Sequence, residues 1–202
     1  MISIVLAGGP CSGKSKSMEV LRQKLAKIGY KVVVIPELAT EIRQNGLIHN
    51  EGVISKTDFQ KLIFDLQIFK EDLYKNVMKK NEDSSKLILL MDRGLLDAKV
   101  YLSQDDYEQL LQDRGLSEND IYNRYNIVIH LESSANLGDK YYNNEDNQFR
   151  FSNIEQAKIQ EEKSLDVWSK HPNFHIINNE KSFEDKIDKI ERYVINQLEK
   201  IK

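Results

Sequence analysis

The chain has 202 residues, of which 30% are charged and 40% hydrophobic, and its formal net charge is −3 at pH 7. This length accommodates one hydrophobic core, and so weak a charge excludes a field that would attract nucleic acid or an anionic membrane. We therefore expect no nucleic-acid partner. No apolar stretch reaches the ~20 residues of a membrane span, and the single cysteine, Cys11, allows no internal disulfide. The sequence predicts a cytoplasmic protein without a membrane span.

Apolar runs alternate with helical patterns along the whole chain. Residues 1–7 form a short continuous apolar run, which is typical of a strand buried on both faces. From Lys14 apolar residues recur on one helical face, and Gly29 can end that helix. The β-branched run at 31–35 predicts the second strand, and a short helix is expected over 38–45.

A long helix is predicted to begin at Thr57, with Gln60 as its capping-box partner, and to end near Lys80. We expect seven apolar side chains to form its buried face: Phe59, Leu62, Ile63, Leu66, Phe69, Leu73 and Val77. A polar stripe on this helix is typical of a solvated face; its members are Gln60, Gln67 and Glu71. Contact with a base or sugar is the alternative for this stripe, because the helix borders the ends of the second and third strands.

Three more strands are predicted over residues 86–91, 126–131 and 173–177, with helical segments between them and a last helix over about 182–201. Strands separated by helices pair in parallel through right-handed crossovers. The predicted fold class is therefore α/β, a three-layer α/β/α sandwich that forms one domain over residues 1–202. Ligands of such sheets bind beyond the carboxyl ends of the strands.

The segment after the first strand fits the phosphate-loop pattern G-x-x-x-x-G-K-[ST] at each fixed position, with the residues Gly8, Gly9, Pro10, Cys11, Ser12, Gly13, Lys14 and Ser15. Glycine at the tightest points lets the backbone wrap a phosphate and direct N–H groups towards it. We predict that Lys14 reaches the β- and γ-phosphates and that Ser15 Oγ ligates Mg²⁺. Residues 8–16, which include Lys16, are expected to bind ATP or GTP.

Charged residues also follow the second and third strands. Asp92 suits a Walker-B-like role in which it holds Mg²⁺, and Arg93 beside it could contact a phosphate on the acceptor. Glu37 could accept the proton of an attacking hydroxyl or hold the metal. Asp97 and Tyr101 lie one helical turn apart, so they either face an acceptor together or lie in solvent.

Residues 132–153 form a long polar segment with almost no aliphatic side chains. A segment of this length inside a compact domain is either functional or disordered. In phosphoryl-transfer enzymes such a segment closes as a lid, excludes water and brings an arginine to the transferring group. Arg150 is its only arginine and is predicted to have this catalytic role, the alternative being a surface residue in a loop.

Several of these segments together resemble the AAA-domain-like P-loop family: GGPCSGKS, VIPELATEI, LMDRGLLDAKVY and NQFRFSN. That family is related to nicotinamide riboside kinases and, more distantly, to deoxynucleoside and thymidylate kinases. The resemblance spans nearly the whole chain and implies a five-stranded parallel sheet in the order 2-3-1-4-5. It also implies ATP or GTP with Mg²⁺, phosphoryl transfer to a small hydroxyl or phosphate, and functional roles for Gly13, Lys14, Ser15, Glu37, Asp92, Arg93 and Arg150. At Lys16 the sequence departs from the pattern, because such loops more often carry serine or threonine there.

Two classes of function stay open at this stage. The first is a P-loop kinase that transfers the γ-phosphate of ATP to a nucleoside, a nucleotide or a similar small molecule. The second is an ATP- or GTP-binding regulatory NTPase with slow hydrolysis, which acts through a protein or lipid partner. The intact residues Lys14, Ser15 and Asp92 disfavour a protein with a vestigial site. A homodimer is an assembly that the sequence leaves open.

Overall fold

The computed structural model describes residues 1–49, 52–80, 84–137 and 154–201. These residues contain a five-stranded sheet with the strands Ile2–Ala7 (β1), Lys31–Ile35 (β2), Leu87–Asp92 (β3), Ile127–Leu131 (β4) and Phe174–Ile177 (β5). Each pairing is parallel, and the spatial order is β2-β3-β1-β4-β5. The three-layer α/β/α fold and its strand order are therefore as the sequence and its family resemblance predicted.

Helices cover both faces of this sheet. In chain order the described helices are Lys14–Lys27 (α1), Leu38–Gln44 (α2), Lys56–Lys79 (α3), Asp97–Tyr101 (α4), Gln104–Asp113 (α5), Glu118–Tyr122 (α6), Ile154–Trp168 (α7) and Phe183–Ile201 (α8). Ile4 and Leu6 of β1 pack with α1 and α8, while Val5 and Ala7 pack with the layer that holds α2 to α7. This division follows from the alternation of side chains along a strand. None of the described helices is long and apolar enough to cross a membrane.

Helix α3 begins one residue earlier than predicted, and Thr57 does not cap it. Ser55 is the N-cap residue, and its Oγ accepts a hydrogen bond from Asp58 N at 2.9 Å. Ser55 and Asp58 have the same three-residue spacing as Thr57 and Gln60, so the sequence contains two overlapping capping candidates. The first of them forms the helix start.

The buried face of α3 is only in part the predicted one, because Phe59 is buried and Ile63 and Leu66 pack against the core, but the predicted residues of the C-terminal half do not. Phe69, Leu73 and Val77 were expected to be buried, but they are exposed by 62%, 44% and 55%. The polar stripe that was expected to be solvated is instead buried, with exposed fractions of 7%, 4% and 0% for Gln60, Gln67 and Glu71. A stripe of this kind can be buried because polar partners on other elements satisfy it.

Glu71 shows how that burial is satisfied. Its carboxylate accepts hydrogen bonds from Gln67 Nε2 at 2.9 Å, from Tyr125 Oη at 3.0 Å and from Arg124 Nε at 2.9 Å. Lys75 Nζ lies 3.6 Å from the same carboxylate. A buried carboxylate is stable only when it is paired and hydrogen-bonded in this way. Its partners from the segment after α6 turn the polar face of α3 towards the interior.

Candidate nucleotide-binding site

The loop between β1 and α1 has the tight backbone that its glycines predicted. Gly8 has a φ of +131° and Gly13 a φ of +83°, both of which favour glycine. A Cβ atom at Gly8 would lie 2.3 Å from Leu131 O of β4, so this position has no room for a side chain. Gly13 is the N-cap residue of α1, and the first N–H groups of the helix are therefore directed at the loop.

Lys14 is buried under this loop and is held by the loop itself. Its Nζ donates to Gly8 O at 2.8 Å, to Gly9 O at 2.8 Å and to Ser12 Oγ at 3.0 Å. Burial lowers the pKa of Lys14 to about 8; the charge of Arg93 acts in the same direction, and nearby carboxylates partly oppose it. A bound phosphate would place further negative charge beside this ammonium group and would stabilise its protonated form.

The other loop residues are fixed by contacts with neighbouring elements. Pro10 O and Cys11 O accept hydrogen bonds from the hydroxyls of the two serines that follow β4. Ser12 is buried. Lys16 Nζ lies 4.5 Å from the centroid of the Phe183 ring, at the start of α8. Contacts from the segment after β4 and from α8 thus hold this part of the chain in addition to its own backbone.

Ser15 and Asp92 meet at the carboxyl ends of β1 and β3. Ser15 Oγ donates to Asp92 Oδ2 at 2.8 Å. Asp92 is buried, and its Oδ1 has no hydrogen-bond partner among the described residues. Burial raises the pKa of this carboxyl, while the charge of Lys14 opposes the rise. An orphaned carboxylate oxygen beside a hydroxyl offers the hard oxygen ligands that Mg²⁺ prefers, so these residues fit the ion.

The protein would supply few ligands to such an ion. Among the described residues no group of three or more His, Cys, Asp or Glu side chains could hold a metal. Mg²⁺ usually keeps several waters and is bound through one or two protein oxygens together with substrate phosphates. The Ser15 and Asp92 pair matches that mode of binding.

Arg93 joins the second and third strand ends. Its Nε donates to Glu37 Oε1 at 3.0 Å, and its Nη1 donates to Asp97 Oδ1 at 3.1 Å. Thr40 Oγ1 donates to the other oxygen of Glu37 at 2.6 Å. Burial acts to raise the pKa of Glu37, but the Arg93 charge, the Thr40 hydroxyl and a nearby ammonium group bring it down to about 2. Glu37 is therefore ionised at neutral pH and is a weak base.

Asp97 holds this arrangement in place. Besides Arg93, its carboxylate accepts hydrogen bonds from Gly94 N at 3.0 Å and from Trp168 Nε1 at 3.2 Å. Asp97 is buried, which rules out the solvated alternative, and Tyr101 lies one turn further on with its ring 5.9 Å from Arg93 Cζ. Arg93 itself has a φ of +76°, a conformation that only a well-determined surrounding maintains.

A cavity of about 680 Å³ opens next to the loop. Its walls come from the loop and from α2, α3, α4 and α7, and they include Glu37, Gln60, Gln67, Arg93 and Tyr101. Cavities of this size are typical of small-molecule sites. The polar stripe of α3 therefore contributes two side-chain amides to a cavity wall.

Two buried charged residues of the site carried no signal in the sequence. Glu161 of α7 accepts hydrogen bonds from Gly9 N and, at 3.1 Å, from Ser133 N, and its Oε1 lies 2.9 Å from His130 Nε2. Lys186 of α8 donates from Nζ to Ser12 O at 3.1 Å. Both residues occur in charged helical segments that look solvated, and each reaches a loop more than 150 residues away in the chain.

Most of the predicted lid lies outside the described residues. Arg150 also lies outside the described residues, so its catalytic role stays a prediction. The described beginning of the segment contains a short 3₁₀ turn, Ser134–Leu137, and Ser134 N donates to Cys11 O at 3.2 Å. The start of the predicted lid therefore contacts the phosphate loop.

The glycine loop, the buried lysine and the Ser15 and Asp92 pair at the ligand edge of a parallel sheet define a P-loop nucleotide-binding protein. A family model described as an AAA domain matches residues 3–186. The chain belongs to this AAA-domain family of P-loop proteins. The comparison with curated proteins gave no match.

Proposed function

We propose that the protein is an Mg²⁺-dependent phosphotransferase that transfers the γ-phosphate of ATP to a nucleoside, a nucleotide or a similar small molecule. The observation that carries this proposal is the cavity of about 680 Å³, which has Glu37, Asp92 and Arg93 on its wall. A regulatory NTPase has only to position a water molecule, so it needs no acceptor cavity of this size.

The phosphate end of the nucleotide would be held by the loop. Lys14 Nζ now donates to loop carbonyl groups and would donate to the β- and γ-phosphates when they bind. Ser15 and Asp92 would hold Mg²⁺, which when bound neutralises charge on the phosphate oxygens. ATP is preferred to GTP in this proposal because of the resemblance to kinases.

The acceptor would be oriented by Glu37 and Arg93. A carboxylate with a pKa of about 2 is too weak a base to remove much of a proton before transfer. It can, however, accept a hydrogen bond from an acceptor hydroxyl, and a loose transition state for phosphoryl transfer requires little more than such positioning. The Arg93 guanidinium would stabilise the charge on the transferred group, and Arg150 of the predicted lid would join it there.

The resemblance to nicotinamide riboside kinases supports the proposed kinase activity. A cytoplasmic location stays a prediction. Its test is ADP release from Mg²⁺-ATP in the presence of single nucleosides and nucleotides. We expect at least one acceptor to stimulate ADP release, and Arg93→Gln to lower the stimulated rate by about 10²-fold. Intact nucleotide binding with ADP release that no acceptor changes would instead support the regulatory NTPase.

A further inference from the structure

Three cationic or titratable side chains gather on one part of the cavity wall. Arg43 comes from the end of α2, His49 from the segment that follows it, and Lys56 is the first residue of α3. Arg43 Cζ lies 5.0 Å from the centroid of the buried Phe59 ring, and the His49 ring lies 5.0 Å from the same ring. Phe59 therefore holds Arg43 and His49 close together.

In the described part of the chain these side chains form no ion pair, although the charge of Glu37 acts on Arg43 from beyond ion-pair distance. No carboxylate there lies within ion-pair distance of Arg43, His49 or Lys56, and the buried atoms Arg43 Nε and His49 Nδ1 have no hydrogen-bond partner. Lys70, which lies on α3 outside the cavity wall, pairs with Glu41 at 2.6 Å. Among the described residues, the side chains that lack an ion-pair partner here are thus those on the cavity wall, whereas Lys70 outside the wall has one.

The electrostatics of Arg43 and His49 agree with this geometry. Burial lowers the pKa of Arg43, while the charge of Glu37 opposes this effect only in part. Burial also lowers the pKa of His49, and the charges of Arg43 and Lys56 lower it further. Positive charges that repel one another in a partly buried place mark a site that a negative charge would stabilise.

The carboxylates of Glu37 and Asp97 in the same cavity are already engaged. Glu37 accepts from Arg93 and Thr40, and Asp97 accepts from Arg93 and from two further donors. Asp92 accepts from Ser15 at Oδ2, and its Oδ1 would be a ligand of the predicted Mg²⁺. None of these three carboxylates is within ion-pair distance of Arg43, so a ligand anion would supply a negative charge that the described residues of the wall do not place there.

We infer that Arg43, His49 and Lys56 form a subsite for an anionic group, a phosphate or a carboxylate, on the molecule that accepts the transferred phosphoryl group. The acceptor is thus an anionic small molecule, such as a nucleoside monophosphate, rather than a neutral nucleoside. This inference rests on the proposed function. The planar guanidinium of Arg43 suits both oxyanions, because its N–H groups match their oxygen pairs.

The direct test is calorimetric binding of inorganic phosphate to the full chain saturated with Mg²⁺ and a non-hydrolysable ATP analogue, which occupies the phosphate loop. We expect a dissociation constant near 1 mM, and a rise of about tenfold in Arg43→Gln and in Lys56→Gln. Arg22→Gln removes the same charge from an exposed side chain of α1 and should leave the constant unchanged. No binding, or equal binding by all four proteins, overturns the inference. Because Lys56 is exposed, Lys56→Gln should fold normally and tests the subsite even if Arg43→Gln does not fold.

The second test compares a nucleoside with its monophosphate in the ADP-release assay. We expect the monophosphate to be the better acceptor and Arg43→Gln to raise its KM by about tenfold. A neutral nucleoside that is accepted equally well, with a KM that Arg43→Gln does not change, refutes the anionic subsite and leaves the phosphotransferase intact. Phosphate binding that depends on Arg43, without stimulation by any acceptor, has the opposite meaning. An anion site then stands, but the phosphotransferase fails, and with it the assignment of that site to an acceptor.

Discussion

Glu161→Ala measures how strongly α7 holds the phosphate loop. The carboxylate of Glu161 is buried and accepts hydrogen bonds from Gly9 N and Ser133 N. Its other neighbour is the buried His130, whose Nε2 lies 2.9 Å from Oε1. Alanine would remove the acceptor and leave both backbone N–H groups without a partner in the interior.

The size of the effect follows from these contacts. A hydrogen bond to a charged group contributes about 1.5–3 kcal/mol, so two of them contribute about 3–6 kcal/mol before the desolvation of the carboxylate is subtracted. We expect Glu161→Ala to lower the free energy of unfolding by about 3–5 kcal/mol. Glu161→Gln keeps the volume and one acceptor oxygen, so about 2 kcal/mol is expected for it.

The assay is urea unfolding, followed by the fluorescence of Trp168, the only tryptophan and a fully buried one. Nucleotide affinity is measured in parallel, and we expect it to fall because Gly9 loses its anchor. The matched control is Glu162→Ala, whose side chain is exposed and whose effect should stay within about 0.5 kcal/mol. If Glu161→Ala is as stable as this control, Glu161 does not hold the loop and the reasoning is wrong.

Three further predictions concern the site and the polar stripe. Nucleotide affinity should fall by up to about tenfold per pH unit above about pH 8, because free Lys14 has a pKa of about 8 while bound phosphates keep it protonated. Calorimetry in two buffers should then detect proton uptake near pH 9 and none near pH 6; equal uptake at both would contradict this. Asp92→Asn should abolish the Mg²⁺ dependence of nucleotide binding in titrations with and without a chelator, and an unchanged dependence would exclude Asp92 as a ligand. Glu71→Ala should cost about 3–5 kcal/mol in urea unfolding, against about 1 kcal/mol or less for the exposed Asp72→Ala; similar losses would mean that the buried network is not stabilising.

Much of the site could be predicted because its parts are local in sequence. The phosphate loop is contiguous, and its glycines, lysine and serine each have a role that follows from wrapping a phosphate. Asp92 was expected near Ser15 because the carboxyl ends of parallel strands share one edge of the sheet. The structure brings the two side chains to 2.8 Å.

Helix α3 could not be oriented from its own sequence. Its sequence has a helical period, but apolar and polar residues both recur with that period, and the apolar stripe was taken as the buried one. The structure buries Glu71 because Arg124 and Tyr125, more than 50 residues further along the chain, donate to its carboxylate, and Gln67 in turn donates to Glu71. Phe69 and Leu73 are left on the outer face.

The sequence by itself determined the α/β class, the strand order through the family that it resembles, and the position of the phosphate loop. These features depend on periodicity and on short contiguous motifs, which one chain displays without reference to distant residues. Tertiary structure alone decided that Glu161 holds the loop, that Arg43 and His49 lie together on a cavity wall, and that the polar face of α3 points inwards. The reason is that these arrangements depend on contacts between elements far apart in the chain, such as the partners that make the burial of Glu161 and Glu71 stable.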